Sequence, residues 1–138
     1  MGYRSEVGYA IATGSVEDRD RVIAAVPAER WDAIKGQVIL GDTLIAFYEC
    51  SAKWYCSRLF GAESSPDVDA HEELLRVAED LDLDHDSSCG VSGVRSAGIF
   101  IRLGDEMGDV EENAWGGGDG LPYPYDLLSI SRSIRTGW

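Results

Sequence analysis

Alternating side chains over long stretches constrain this fold more than any other feature of the sequence. From Tyr3 to Thr13, Tyr, Ser, Val, Tyr and Ile occupy one set of alternate positions, and Arg, Glu, Gly, Ala and Ala occupy the other. A period of two residues is the repeat of a β-strand. From Ala97 to Leu103, Ala, Ile, Ile and Leu alternate with Gly, Phe and Arg in the same way. The two stretches therefore predict a β-sheet.

Two helices are predicted from apolar periodicity and from end signals. Ser15, with Asp18 three residues later, is a capping pattern for a helix that Pro27 stops or restarts and that ends at Gly36. A second helix opens at Ser65-Pro66-Asp67 and runs to about Leu81. Its apolar face contains Val68, His71, Leu74, Leu75, Ala78 and Leu81, and its acidic face contains Asp69, Glu72, Glu73, Glu79 and Asp80.

Turn signals predict the remaining strands. Gly41-Asp42 lies between two extended runs in residues 38–49, which predicts a tight hairpin with a Gly-first turn, and Lys53-Trp54-Tyr55 is a third extended piece. After a glycine-rich stretch, a last strand is predicted from about Tyr125 to Ile134. The order βαββαββ predicts one α+β domain over residues 1–138. Its sheet is expected to be mainly antiparallel with both helices on one face, as in ferredoxin-like sandwiches.

Composition is typical of a globular domain with a single core. The chain has 138 residues, 44% hydrophobic content and four Trp, which is enough to bury one core. The cysteine count is three, which is odd, and no apolar leader or membrane-length apolar run is present. We therefore expect no disulfide framework and no membrane association, and we expect a reducing cytoplasm as the compartment.

Negative charge is concentrated in residues 63–112. This segment contains fifteen of the 25 acidic residues and only three basic ones, so it carries −12 of the net charge of −13. The two flanking segments are close to neutral. A directional field of this kind attracts a basic partner and opposes direct binding to nucleic-acid phosphates.

Short motifs at both ends and in the middle of the chain resemble one group of proteins. The motifs are Met-Gly-Tyr-Arg-Ser-Glu-Val at 1–7, Lys-Trp-Tyr at 53–55, Ile-Arg-Leu-Gly-Asp-Glu at 101–106 with Asp-Val-Glu at 109–111, and Ser-Arg-Ser-Ile at 131–134. They resemble small uncharacterised proteins encoded by bacteriophages and prophages. The resemblance carries over no catalytic residue. It implies a phage-side context in a bacterial cell, where small acidic proteins often block host defence or nucleic-acid-handling enzymes.

Metal-binding patterns are weak in this sequence. The alternate aspartates of residues 80–86 suggest a calcium loop, but a loop that starts at Asp82 has Ser87 and Gly93 where Gly and Glu are needed. The spacings among Cys50, Cys56, His71, His85 and Cys89 do not match a structural zinc site. His71 is expected instead to be a hydrogen-bonded histidine at the edge of the core. We predict no metal and no cofactor.

Catalytic patterns are also weak. Asp84-His85-Asp86 and Cys89 offer the residue types for nucleophilic catalysis, but all of them fall within one short loop. Asp105 with Glu106 or Asp109 offers carboxylates for acid and base work, although such pairs are commonly surface charge. The chain is therefore predicted not to be an enzyme. The alternatives are a small hydrolase or transferase that uses carboxylates, and a phage structural or assembly protein.

The favoured hypothesis is protein binding through the acidic segment. Carboxylates and phosphates both offer negative charge to Lys and Arg, so the segment is expected to occupy a basic groove of a host protein, as an anti-CRISPR inhibitor or a DNA mimic does. Among the aromatic residues beside the segment (Trp54, Tyr55, Trp115, Tyr123 and Tyr125), Trp115 is expected to be the exposed anchor. A monomer or closed homodimer is expected. The predicted contact residues are Asp82, Asp84 and Asp86 in the loop after the second helix, Asp105, Glu106, Asp109, Glu111 and Glu112 after the strand, and Trp115.

Overall fold

The computed structural model describes residues 5–52, 66–86, 95–104, 110–116, 121–130 and 134–136. Its elements, in chain order, are β1 (Ser5–Thr13), α1 (Val16–Ala25), α2 (Ala28–Ile34), β2 (Ile39–Leu40), β3 (Leu44–Ala52), α3 (Pro66–Asp86), β4 (Ser96–Gly104), β5 (Val110–Trp115), α4 (Pro124–Leu127), β6 (Leu128–Ile130) and β7 (Ile134–Thr136). The predicted α+β class is confirmed. The predicted extended piece at residues 53–55 lies outside the described residues.

Five of the described strands build one sheet in the order β2-β3-β1-β4-β5, with every neighbouring pair antiparallel. The two stretches with the clearest alternation are its central neighbours, because β1 pairs with β4 along its whole length, from Ser5 opposite Gly104 to Thr13 opposite Ser96. β5 was not predicted, since Glu, Asn and Ala are uncommon in strands. The ferredoxin-like order is not confirmed and stays a prediction.

The first three helices cover one face of the sheet. Ser15 caps α1 by accepting a hydrogen bond from the Asp18 backbone N–H at 3.1 Å, and Pro27 separates α1 from α2, as predicted. The shared core combines alternate residues of the central strands with the apolar sides of the helices: Val7, Tyr9, Ile11, Val22, Ile34, Leu74 and Phe100. Each aliphatic side chain buried in this way stabilises the fold by about 1.5–3 kcal/mol.

The opposite face of β4 has a smaller core of its own. Ile99 and Ile101, which alternate with Phe100, pack with Leu128 from the C-terminal segment. This second layer explains why β4 is buried on both faces from Ser96 to Arg102. The prediction of one continuous strand over residues 125–134 is wrong. Pro124 at the first helical position favours the short helix α4, after which β6 and β7 form a separate two-stranded sheet.

Candidate partner-binding surface

α3 carries most of the net negative charge of the described residues. Its 21 residues include nine acidic ones and a single Arg or Lys, Arg76. Arg76 lies 2.6 Å from Glu73 and 3.3 Å from Asp80, at the i,i+3 and i,i+4 spacings that bring helix side chains together. The positive charge of Arg76 is therefore offset by two carboxylates of the same helix. The outward side of α3 remains strongly negative.

The charge of α3 contrasts with that of the other helices in the same layer. Residues 16–35, which contain α1 and α2, have five acidic and four basic residues. α3 packs beside α2, and Arg30 donates a hydrogen bond to the Asp69 carbonyl at 3.2 Å. The helix layer is therefore nearly neutral at one side and acidic at α3.

The acidic side of α3 continues onto the edge strand β5. The Glu79 carboxylate accepts a hydrogen bond from the Asn113 side-chain amide at 3.2 Å, which fixes this contact between helix and strand. Glu111 and Glu112 follow in β5 and point to opposite faces of the sheet because side chains alternate along a strand. The two predicted contact residues thus lie on different sides of the same edge.

Glu111 faces the helix side and lies against Arg102. Arg102 is almost completely buried, and its Nε is 3.6 Å from Glu111 Oε1. A buried guanidinium needs a nearby negative charge, so Glu111 has a structural role in addition to the predicted one.

Glu112 faces the other side and accepts a hydrogen bond from the Tyr125 hydroxyl at 2.5 Å. This hydrogen bond, together with the negative charge of Glu112, raises the pKa of Tyr125 above its usual value. Tyr125 and Tyr123 are 56% and 68% exposed. In the described part of the chain, the aromatic surface beside Glu112 is therefore formed by these two tyrosines. The flanking prolines Pro122 and Pro124 are the sequence feature that marks this exposed segment.

The prediction that Trp115 is an exposed anchor is wrong. Trp115 is 9% exposed, its Nε1 donates to Ser96 Oγ at 3.0 Å, and its ring lies over Gly98, the residue opposite it in β4. The reason is the unpredicted strand β5, whose pairing carries the indole onto the helix side of the sheet. Trp115 is a core residue.

The prediction that Asp82 lies in an exposed loop is also wrong. α3 continues past Leu81 to Asp86, and Asp82 is 8% exposed, with Oδ1 accepting a hydrogen bond from the Ser96 backbone N–H at 3.0 Å. This carboxylate joins the end of α3 to the start of β4. Because residues 80–86 are helical, their alternate aspartates do not line a calcium loop.

The structure describes the other predicted contact residues only in part. Asp84 and Asp86 lie in α3, but their side chains are outside the described part of the molecule, as are Asp105, Glu106 and Asp109 altogether. In the ranges that are described, no group of three or more His, Cys, Asp or Glu residues is placed to hold a metal ion. None of the helices described there is long and apolar enough to cross a membrane.

His71 is hydrogen-bonded inside the core, as predicted. Its Nε2 lies 2.9 Å from the Gln37 side-chain oxygen, and its Nδ1 lies 2.6 Å from the Tyr9 hydroxyl. Since an amide oxygen only accepts, Nε2 donates to Gln37, and in the tautomer with its proton on Nε2 the Nδ1 atom accepts from the Tyr9 hydroxyl. Phe47 packs against both Tyr9 and His71. The arrangement joins β1, β3 and α3 and has a structural role.

Burial of Tyr9 has a consequence for stability at high pH. Burial raises the pKa of Tyr9 well above 10, whereas the unfolded chain ionises its tyrosines near pH 10. Below pH 10 this contribution to stability is fully present. As the pH rises further, the unfolded state loses protons that the folded state keeps, so the free energy of unfolding should fall. Urea unfolding from pH 8 to 11 measures the decline, and an equally steep decline in Tyr9→Phe would contradict this assignment.

Comparison with models of known protein families, with curated proteins and with solved structures finds no significant match. The resemblance to phage-encoded proteins therefore stays a prediction from short motifs.

Proposed function

We propose that this protein is a non-enzymatic binding protein of a bacteriophage or prophage. It acts in the bacterial cytoplasm by occupying a basic, nucleic-acid-binding surface of a host defence or nucleic-acid-handling protein, as an anti-CRISPR inhibitor or DNA mimic does. The observation that carries this proposal is the concentration of net negative charge in α3, which contacts the β5 edge, beside the nearly neutral α1 and α2. Acidic residues that serve only solubility are expected on all helices of the surface rather than mainly on one.

The dimensions of α3 support an imitation of nucleic acid. A helix of 21 residues is about 31 Å long, which is close to one turn of B-DNA at about 34 Å. Without the buried Asp82, and with one charge offset by Arg76, α3 carries about one net negative charge per 4.5 Å, against about one per 3.4 Å for a single DNA strand. Lys and Arg side chains that bind phosphates along a strand therefore meet a similar charge density.

The test starts with a host protein captured by this chain and asks whether its nucleic acid competes for the same surface. Three acidic residues of α3 are neutralised together while their shape is kept: Glu72→Gln, Glu79→Gln and Asp80→Asn. The matched control removes the same charge from α1 and α2: Glu17→Gln, Glu29→Gln and Asp32→Asn. A third variant neutralises the predicted loop: Asp105→Asn, Glu106→Gln and Asp109→Asn.

We expect the α3 variant to weaken binding by about tenfold at low salt, because each exposed ion pair contributes about 0.2–1 kcal/mol. The α1–α2 control should change the affinity by less than about threefold, since its carboxylates lie outside the proposed surface. Affinity should fall steeply with salt, and nucleic acid should displace this protein from its partner. Equal effects of the α3 variant and its control, or affinity that does not respond to salt, would show that the acidic residues only solvate the surface.

Oligomeric state separates this proposal from the assembly-protein alternative. An inhibitor is expected to sediment as a monomer or closed dimer, whereas an assembly protein forms large or open oligomers. Turnover of a substrate that is lost when Asp105, Glu106 and Asp109 are neutralised would favour the enzyme alternative instead.

A further inference from the structure

Two neighbouring tyrosines project from the C-terminal segment into solvent. Tyr123 and Tyr125 are the most exposed of the large hydrophobic residues in the described part of the chain. Pro122 and Pro124 flank Tyr123, and Pro124 is buried as the first residue of α4. Proline restricts the backbone, so the rings are presented by a rigid segment. Exposed rings on a rigid backbone lose little conformational entropy when they bind a partner.

A carboxylate is held beside one of these rings. The hydrogen bond from the Tyr125 hydroxyl fixes Glu112, which is itself exposed, at the edge of the sheet. The hydroxyl of Tyr125 is engaged by Glu112, and the residue as a whole remains 56% exposed. Val110, on the same face of β5 as Glu112, is half exposed and adds apolar surface. Aromatic, aliphatic and carboxylate groups thus meet at this side of the β5 edge.

We propose that Tyr123, Tyr125 and Glu112 form a docking surface for an arginine-bearing segment of a protein partner. The inference rests on the proposed function and adds the anchor that Trp115 does not provide. Guanidinium groups stack on aromatic rings and pair with carboxylates, and their stems pack on apolar surface. Arg, Tyr and Trp are the residues that most often carry binding energy at interfaces.

Charge complementarity selects this occupant over two others. A second copy of the chain brings another net charge of −13, and nucleic acid brings phosphates, so at this acidic surface both are disfavoured relative to a basic segment. The tyrosine surface and the acidic side of α3 lie on opposite faces of the same strand, because β5 carries Asn113 toward Glu79 on one face and Glu112 toward Tyr125 on the other. A basic partner that covers the β5 edge contacts both.

The experiment titrates the full chain with a 12-residue peptide of alternating Arg and Gly and follows the ring signals of tyrosine by NMR. The ring signals of Tyr123 and Tyr125 should shift and saturate together. Replacing both residues by alanine should weaken the affinity for the peptide by about 5- to 30-fold, the combined effect of losing two exposed cation–π contacts. Tyr125→Phe keeps the ring and should stay within about threefold of the wild type.

The control variant Ile39→Ala with Leu40→Ala removes two exposed apolar side chains from β2, at the opposite edge of the sheet. It should leave the peptide affinity unchanged. Equal weakening by this control and by the tyrosine variant would overturn the proposal. The wild-type ring shifts need no substitution, so they test the proposal even if a variant folds poorly.

The outcomes separate this inference from the proposed function. The peptide could bind in a way that the α3 variant weakens while the tyrosine signals stay unchanged. That result would overturn the docking surface but would support the proposed function as an acidic binding protein. No peptide binding at low salt overturns both. Binding of a 12-nucleotide oligothymidine at the tyrosine rings also overturns the inference, since the surface then accepts bases and tolerates phosphates.

Discussion

Replacing Trp115 by alanine should lower the free energy of unfolding by about 3–5 kcal/mol, the range for removing a large aromatic side chain from a core. The indole is buried at the end of β5 and fills the space over Gly98. Its loss also removes the indole N–H that donates a hydrogen bond to the buried Ser96 hydroxyl. Urea unfolding followed by circular dichroism measures the change.

A double-mutant cycle with Gly98 makes this expectation specific. A Cβ atom at Gly98 would overlap three atoms of the Trp115 ring, so Gly98→Ala alone should destabilise the fold by about 3 kcal/mol, the upper end for overpacking. In the Trp115→Ala background the same methyl group has room and should have little effect. Additive effects of the two substitutions would contradict the packing of this ring on Gly98.

Gly116→Ala should destabilise the protein by about 2–5 kcal/mol, although the residue is exposed. Gly116 has a φ of 72°, in the left-handed region that favours glycine, and an added Cβ would overlap the Ser96 carbonyl oxygen. That oxygen belongs to the backbone of the central sheet and has little freedom to move. Thermal and urea unfolding measure the loss.

Gly36→Ala is the matched control for this substitution. Gly36 lacks a positive φ, and an added Cβ would meet no atom within 4 Å. Its replacement by alanine should leave stability unchanged or raise it by up to about 1 kcal/mol, because the unfolded chain loses conformational freedom. Similar losses at both positions would mean that the backbone at Gly116 is not strained by a side chain.

Both expectations concern the end of β5, which holds the candidate surface in place. Ser96 is the common contact, since it meets the Trp115 indole, the Asp82 carboxylate and the backbone at Gly116. Variants at these positions should therefore weaken partner binding only to the extent that they unfold the edge strand. Binding that is lost in a Trp115 variant whose fold is intact would give this residue a direct role in the interface.

Local patterns determined the elements whose signals do not depend on the rest of the chain. The alternation in β1 and β4, the Ser15 cap and the apolar side of α3 with His71 were all predictable, because each reflects the period of a strand or the geometry of a helix. The confinement of charge to one segment was also visible in the sequence. The phage context, the binding role and the partner remain proposals.

Tertiary pairing decided the details that matter most for the surface. β5 forms from a sequence with little strand propensity because β4 offers it a ladder of hydrogen bonds, and the register of that ladder buries Trp115. α3 extends beyond its predicted end. There the Asp82 carboxylate accepts a hydrogen bond from the backbone N–H of Ser96, fourteen residues later in the sequence. The exposed tyrosines follow from packing of the C-terminal segment on the second face of β4. These outcomes depend on contacts between residues distant in sequence, which composition and periodicity do not encode.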